Sequence, residues 1–93
     1  MNSIISILKE HKEELFTNYP IKSLALFGSY SRGDNKKNSD VDIMVEMAQP
    51  KAIAFIDLSY RLENILKKKV DLVSRNGIKE QYFKYLEKDL LYV

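Results

Sequence analysis

A Gly-Ser pair and three aspartates occupy positions from which they could bind a phosphorylated ligand and its metal ions. Gly28-Ser29 follows a short apolar run, and after ten further residues Asp40 and Asp42 open a second run of core-type residues. Glycine lets the backbone approach a ligand closely, and the amides of the turn that follows can bind an anion. Taken alone, Gly28-Ser29 could equally be an ordinary tight turn with a capping serine.

Asp40 and Asp42 lie on the same side of a predicted strand, because side chains alternate along a strand. Two like charges this close repel each other, and the pKa of one of them rises unless a cation is present. Carboxylate oxygens suit magnesium or manganese better than zinc. As an isolated pair, however, the two aspartates could simply be solvated.

Asp71 is an acid inside the apolar run Val70 to Val73, where a charged residue is unexpected. One interpretation is an edge strand whose carboxylate points into water. The other is that this strand lies beside the one that begins at Asp40, so that the three carboxylates form one cluster. Such a cluster could hold two divalent ions roughly 3.5–4 Å apart, as two-metal phosphoryl transfer requires.

Helical and strand periodicities indicate which elements position these residues. The pattern predicts helices over residues 1–18, 50–68 and 78–92, and strands over residues 21–27, 40–46 and 69–74. A turn or short helix is expected at residues 29–33, and a turn at Asn76-Gly77. The end of the first strand must lie near the start of the second for the motif to work, which implies an antiparallel pair. The predicted fold class is α/β (α+β), with a three-stranded mixed sheet and helices packed mainly on one face.

The last predicted helix has an apolar side made of five residues: Ile78, Tyr82, Phe83, Leu86 and Leu90. We therefore predict that Tyr82 belongs to the core. Tyr85 and Tyr92 are candidates for contact with a partner. His11, at the rim of the apolar side of the first helix, is interpreted as a partly buried structural residue.

Length and composition limit the class of protein. A chain of 93 residues suits one small domain, and we expect residues 1–93 to form it. The net charge of +2 argues against a dedicated nucleic-acid binder, which would be strongly basic. The chain has no cysteine and therefore no disulfide or zinc–thiolate site. Because it lacks an apolar run long enough for a membrane span and its first residues do not look like a secretory signal, we expect a cytoplasmic protein.

The combined motif is far more specific than its parts. Gly28-Ser29, ten residues, Asp40-x-Asp42 and an acid in the next strand resemble the signature of the polymerase β-type nucleotidyltransferases. Arg32-Gly33 and Ser39 match the pattern of a small branch of this superfamily, the minimal nucleotidyltransferases (MNT). The resemblance covers nearly the whole chain and implies the polymerase β-type nucleotidyltransferase fold.

The resemblance also implies roles for the residues of the turn and loop. Gly28 and Ser29 would contact the phosphates of ATP through backbone amides and the serine hydroxyl. Arg32 would neutralise phosphate charge, although it could also be an ordinary surface arginine. Ser39 would orient the start of the second strand or touch phosphate.

For the three acids, the resemblance implies a catalytic and metal-binding role. Asp40 and Asp42 would bind two Mg²⁺ ions, and Asp71 would bind the catalytic ion and accept the proton of the attacking hydroxyl. An in-line attack on the α-phosphate would then expel pyrophosphate. All three acids are present, so the resemblance implies an active enzyme.

The resemblance extends to a partner and a biological role. Minimal nucleotidyltransferases of this kind are similar to the antitoxins of toxin–antitoxin pairs whose toxins are HEPN-domain ribonucleases. This implies transfer of AMP from ATP to a tyrosine near the active site of the toxin, which silences it. A homo- or hetero-oligomer is possible, and neither a membrane nor direct nucleic-acid binding is expected.

Two alternatives stay open from the sequence. The first is an enzyme that transfers a nucleotide to a small hydroxylated molecule such as an aminoglycoside, which would predict an acidic pocket and a second domain. The second is a non-catalytic antitoxin that neutralises its partner by covering it. Replacing Asp40 and Asp42 with asparagine would separate catalysis from simple binding.

Overall fold

Helices and strands alternate along residues 3–93, the part of the chain that the computed structural model describes. The helices are α1 (Ser3–Glu10), α2 (Lys12–Asn18), α3 (Ser29–Arg32), α4 (Ala52–Leu66) and α5 (Glu80–Leu86). The strands are β1 (Ile21–Phe27), β2 (Val41–Met47), β3 (Val70–Ser74) and β4 (Leu91–Tyr92). Two short 3₁₀ turns, Arg75–Gly77 and Glu87–Asp89, flank α5.

The strands form one mixed sheet in the order β3-β2-β1-β4. Strand β1 is antiparallel to both β2 and β4, whereas β2 and β3 are parallel and are joined through α4. The predicted antiparallel pair and the mixed α/β fold class are therefore confirmed. The prediction of three strands was wrong by one, because the described chain forms a fourth strand at its end.

The larger core lies on one face of the sheet, under α1, α2 and α4. These three helices bring leucines that are fully buried, among them Leu8, Leu15 and Leu58. The β-branched residues that alternate along β2 pack against them and are also fully buried: Val41, Ile43 and Val45. This alternation places the intervening residues of β2 on the opposite face.

The opposite face carries a smaller core and the carboxylates. Phe27 and Met44 pack there against Phe83 of α5. Phe27 is directly paired with Asp42 across the antiparallel strands, so the two side chains share this face. Helices therefore cover mainly one face, as predicted, and α5 covers only part of the other.

The first predicted helix is divided at His11. Its backbone amide donates to the carbonyls of both Ile7 and Leu8, at 3.2 Å each, and its ring Nδ1 lies 3.0 Å from the Ile7 carbonyl. A side chain that competes for a helical carbonyl weakens the regular hydrogen bonding, and α2 starts anew at Lys12. His11 is half-buried, as predicted, while the predicted helical residues Met1 and Asn2 lie outside the described residues.

Helix α4 begins at Ala52, two residues later than the predicted start at Pro50. Lys51 is still extended, with φ −132° and ψ 128°, and its carbonyl accepts the first helical hydrogen bond from the Phe55 amide at 3.0 Å. The proline therefore lies in the connection before the helix. The apolar side of α4 buries Leu58, Leu62 and Leu66.

The last predicted helix, over residues 78–92, is wrong at its C-terminal end. Helix α5 stops at Leu86, and Leu91 and Tyr92 pair with the edge of β1, where the Val93 amide also donates to the Leu24 carbonyl at 2.9 Å. The open edge of β1 offers unpaired backbone groups, and pairing with them replaces the helical bonds. The prediction that Tyr82 is a core residue was also wrong, since its side chain is 58% exposed.

Two side chains secure the ends of the strands that carry the acids. The Val70 amide, at the start of β3, donates to Glu63 Oε2 of α4 at 3.0 Å. The Asn76 amide bonds to both backbone groups of Met47 at the end of β2, accepting from its N–H at 3.0 Å and donating to its carbonyl at 3.2 Å. These bonds hold β3 against α4 and the following turn against β2. No helix within residues 3–93 is long and apolar enough to span a membrane.

Candidate active site

The Gly-Ser turn and the Asp42 carboxylate touch each other. Gly28, at the N-terminus of α3, has φ +74° and ψ −151°, a conformation that only glycine adopts readily. A Cβ at this position would lie 3.0 Å from Cγ and 3.2 Å from Cβ of Asp42, and closer still to Oδ2. Glycine is therefore required both by its backbone angles and by the carboxylate next to it.

Asp42 and Asp71 are neighbours in register. The parallel pairing of β2 with β3 sets the two residues side by side, and their side chains share the face that α5 leaves partly open. Burial raises the pKa of Asp42, and the charges of Asp71 and Asp40 raise it further, whereas the positive charge of Arg32 opposes them. Both interpretations of Asp71 are met, since β3 lies beside β2 and is also an edge strand on which Asp71 is exposed. Strand β2 begins at Val41, so the predicted start at Asp40 was one residue too early, and Asp40 directly precedes the strand.

The three acids are near one another, but their carboxylates do not surround a common point. Among residues 3–93, no group of three or more histidine, cysteine, aspartate or glutamate side chains is arranged closely enough to hold a metal ion as it stands. Asp40 and Asp71 are exposed, and neither forms an ion pair with another described residue. Their side chains can therefore turn toward Asp42 without breaking a salt bridge. An oxygen-only donor set of this kind suits a hard divalent cation.

Arg32 lies beside the acids but is bonded to carboxylates. Its Nε donates to Asp34 Oδ2 at 3.0 Å, and its Nη1 donates to Asp89 Oδ2 at 3.2 Å. The hydrogen bond to Asp34 contributes most to raising the pKa of Arg32, followed by the bond to Asp89. Because guanidinium has five N–H donors, it can hold these partners and still offer a donor to a phosphate.

The two serines of the motif have different surroundings. Ser29 starts α3 and is half-buried, and its carbonyl accepts from the amides of Gly33 and Asp34 at 2.8 and 3.1 Å. Ser39 Oγ accepts from the Lys36 amide at 2.8 Å, and this bond closes the turn just before Asp40. The role of Ser39 in orienting the start of β2 and its contact with phosphate both stay predictions.

Asp89 and Ser31 complete the surroundings of the turn. The sequence patterns did not predict that either residue belongs to the site. The Ser31 hydroxyl donates to the backbone carbonyl of Asp89, whose carboxylate also binds Arg32. Asp89 is separated from Arg32 by 57 positions, so no local pattern links them. Only the return of the chain to β4, beside β1, brings the residue to the site.

Comparison with known proteins identifies the family. The model of the nucleotidyltransferase domain family matches residues 8–92, so the chain belongs to this family of enzymes. A relative from Methanocaldococcus jannaschii is 51% identical over 79 residues, which cover 84% of this chain and 92% of the relative. The protein adenylyltransferase MntA of Thermococcus cleftensis is 38% identical over 94 residues, covering 100% of this chain and 95% of that protein. The resemblance noted from the motif is thereby confirmed.

Solved structures of toxin–antitoxin complexes share the fold. A toxin–antitoxin structure with AMP-PNP matches 76% of this chain with a TM-score of 0.63 and 32% identity. A complex of tri-AMPylated Shewanella oneidensis HEPN toxin with MNT antitoxin matches 98% of this chain with a TM-score of 0.59 and 26% identity. This chain spans 60% and 66% of the lengths of those two solved chains. The matched proteins are thus longer than the segment that they share with this chain.

Proposed function

We propose that this chain is the antitoxin of a HEPN-domain ribonuclease toxin and silences it by transferring AMP from ATP to a tyrosine hydroxyl. One observation carries the proposal: the backbone of Gly28 touches the Asp42 carboxylate, which in turn lies beside Asp71. A turn that can bind phosphate and acids that can bind metal are thereby joined at one point. The relatives named as protein adenylyltransferases and the AMPylated toxin complex support the choice of AMP and of a protein acceptor.

We propose that Asp40, Asp42 and Asp71 bind a pair of Mg²⁺ ions, because carboxylate oxygens are ligands that Mg²⁺ prefers. The pKa of Asp42 is raised by burial and by the other two acids, so the cluster has negative charge that a cation would relieve. Bound Mg²⁺ would neutralise charge on the triphosphate and on the attacking and leaving oxygens. We propose that all three aspartates serve as ligands, with Asp40 and Asp71 turning toward Asp42.

The remaining residues would orient the triphosphate and manage the proton. Backbone amides at Gly28 and Ser29, with the Ser29 hydroxyl, would hold phosphate oxygens, while Arg32 and Ser39 would lie at the edge of the phosphate site. The tyrosine oxygen would form a bond to the α-phosphorus as the bond from phosphorus to the β-bridging oxygen breaks. Pyrophosphate would leave, and the phenolic proton would pass to Asp71.

Mass spectrometry of the HEPN-domain protein encoded beside this chain, incubated with the chain, ATP and Mg²⁺, tests this function. We expect a mass gain of one or more AMP units on a tyrosine, lost when EDTA is added. The variant Asp40→Asn/Asp42→Asn should add no AMP, whereas Asp57→Asn, an exposed acid on α4, should act like wild type.

Two results would contradict the proposal. A HEPN protein that gains no AMP while small hydroxylated acceptors are modified would show a different substrate. Full protection of cells from the toxin by Asp40→Asn/Asp42→Asn would show that the chain acts by binding alone.

A further inference from the structure

Three exposed tyrosines lie on the side of the sheet that carries the acids. Tyr82 and Tyr85 project from α5, which packs through Phe83 on the carboxylate face, and they are 58% and 74% exposed. Tyr92 of β4 is paired with Ala25, two residues before Phe27, and therefore points to the same face. It is 57% exposed. We call these three residues the tyrosine surface.

A second exposed apolar group lies on the other side of the molecule. Ile53, Ile56 and Tyr60 follow one another at helical spacing on α4, away from its buried leucines. Helix α4 packs on the larger core, so the sheet separates this group from the acids. The two groups are similarly exposed and differ in which side of the sheet they occupy.

The tyrosine surface is joined directly to the nucleotide turn. The chain that leaves α5 reaches Asp89, which binds Arg32 through its carboxylate and the Ser31 hydroxyl through its carbonyl. Strand β4 begins two residues later, at Leu91, and pairs with β1 next to that turn. The segment between Tyr85 and Tyr92 therefore contacts the rim of the candidate site through Asp89.

The area of a protein interface indicates whether a protein acceptor would cover the tyrosine surface or the exposed group on α4. A stable interface buries about 800 Å² on each partner, which corresponds to a patch roughly 30 Å wide. The described chain measures only 33 × 31 × 19 Å. An acceptor whose tyrosine reaches Asp42 would therefore cover most of the acid-bearing side, including α5. The exposed group on α4 would stay outside this contact.

We propose that the tyrosine surface is the docking site for the protein acceptor, an inference that rests on the proposed function. Tyrosine is enriched among the residues that carry most of the binding energy of an interface. Its ring buries apolar area while the hydroxyl finds a polar partner. Tyr82 and Tyr85 anchor the acceptor beside the acids, and Tyr92 extends the contact toward β4.

The test compares Tyr82→Ala/Tyr85→Ala with Tyr60→Ala. Tyr60, Tyr82 and Tyr85 are exposed helical residues, and alanine favours a helix. Neither variant should therefore lose the fold. Titration calorimetry without ATP measures the Kd for the HEPN-domain protein of the transfer assay. We expect the double variant to raise this Kd at least about tenfold and Tyr60→Ala to change it less than about twofold.

Transfer kinetics give a second readout. At low acceptor concentration, the transfer rate of the double variant should fall in proportion to the increase in its Kd. At saturating acceptor the rate should recover, and the KM for ATP should stay unchanged. An unchanged Kd in the double variant, or a larger effect of Tyr60→Ala, would overturn the docking site even if wild type transfers AMP. Failure of wild type to bind the HEPN protein would overturn the docking site and the proposed function together.

Two further outcomes separate the possible occupants and the two proposals. If wild type is a dimer in sedimentation and the double variant is a monomer, the surface binds a second copy of this chain and the inference is wrong. If wild type binds the HEPN protein through these tyrosines without adding AMP, the docking site stands and the transfer fails.

Discussion

Replacing Gly28 with alanine would show whether contact between the turn and Asp42 is essential to the site. The backbone angles of Gly28, φ +74° and ψ −151°, lie in a region that is almost closed to other residues. An alanine Cβ would come within 3.0 Å of Asp42 Cγ and closer to Oδ2. Since carbon atoms at their optimal separation are about 3.5–4 Å apart, the Asp42 carboxylate would have to move.

The backbone strain and the displacement of Asp42 set the size of the losses in stability and activity. Backbone strain of this kind costs about 1–3 kcal/mol, so Gly28→Ala should lower the free energy of unfolding by at least that amount. Restoring ordinary contact would shift the Asp42 carboxylate by about 1 Å, and a misplacement of that size can reduce activity about 100-fold. We therefore expect a large loss of activity beside a moderate loss of stability.

Gly33→Ala is the matched control. Gly33 also has a positive φ, +86°, but no atom lies within 4 Å of a Cβ at this position. Its left-handed conformation should cost about 1–2 kcal/mol without moving an acid. Urea unfolding measures stability, and AMP transfer to the HEPN protein, below the unfolding transition of both variants, measures activity. Equal activity of the two variants would refute the argument that Gly28 is needed to admit Asp42.

Three further substitutions test other parts of the structure. Without metal, Asp71→Asn should raise the free energy of unfolding by up to about 1 kcal/mol at pH 7, because it removes a charge that raises the pKa of Asp42. The raised pKa makes the stability of wild type fall as the pH rises. Urea unfolding should therefore show no gain for the variant at pH 3. Asn76→Ala should lose about 1–3 kcal/mol in the same assay, since both backbone groups of Met47 lose their partner; a loss no larger than that of the exposed loop variant Asn38→Ala would contradict this. Arg61→Gln should lose less than about 1 kcal/mol, because its pair with Glu14 is about one-third exposed; a loss above 2 kcal/mol would show a stronger link between α2 and α4.

The parts of the site that could be predicted are those fixed by local patterns. Alternation along β2 places Asp42 and Ile43 on opposite faces of the sheet, whatever the rest of the chain does. The Gly28 turn has to bring the chain back from β1, which implies the antiparallel pair that the structure contains. Asp71 beside Asp42 needed one further assumption, that β3 is adjacent to β2, and the register confirms it.

The parts that could not be predicted depend on partners far away in the sequence. Leu91 and Tyr92 fit a helix or a strand equally well, and the free edge of β1 decides between them. Asp89 reaches Arg32 only because that strand forms. Tyr82 lies four residues before Leu86, which is helical spacing, yet α5 turns Phe83 and Leu86 toward the smaller core and leaves Tyr82 58% exposed. In each case a tertiary contact outweighs the local pattern.

The alternation along β2 also explains how a small chain can keep a repulsive cluster of acids. Val41, Ile43 and Val45 point into the larger core and are fully buried, while Asp42 points to the opposite face. The repulsion among the acids is therefore kept out of the packing that holds the sheet to α4. Substitutions of the acids should change the chemistry while leaving this core intact. Gly28 differs, because there the main chain itself touches Asp42, so any side chain added at this position disturbs fold and site together.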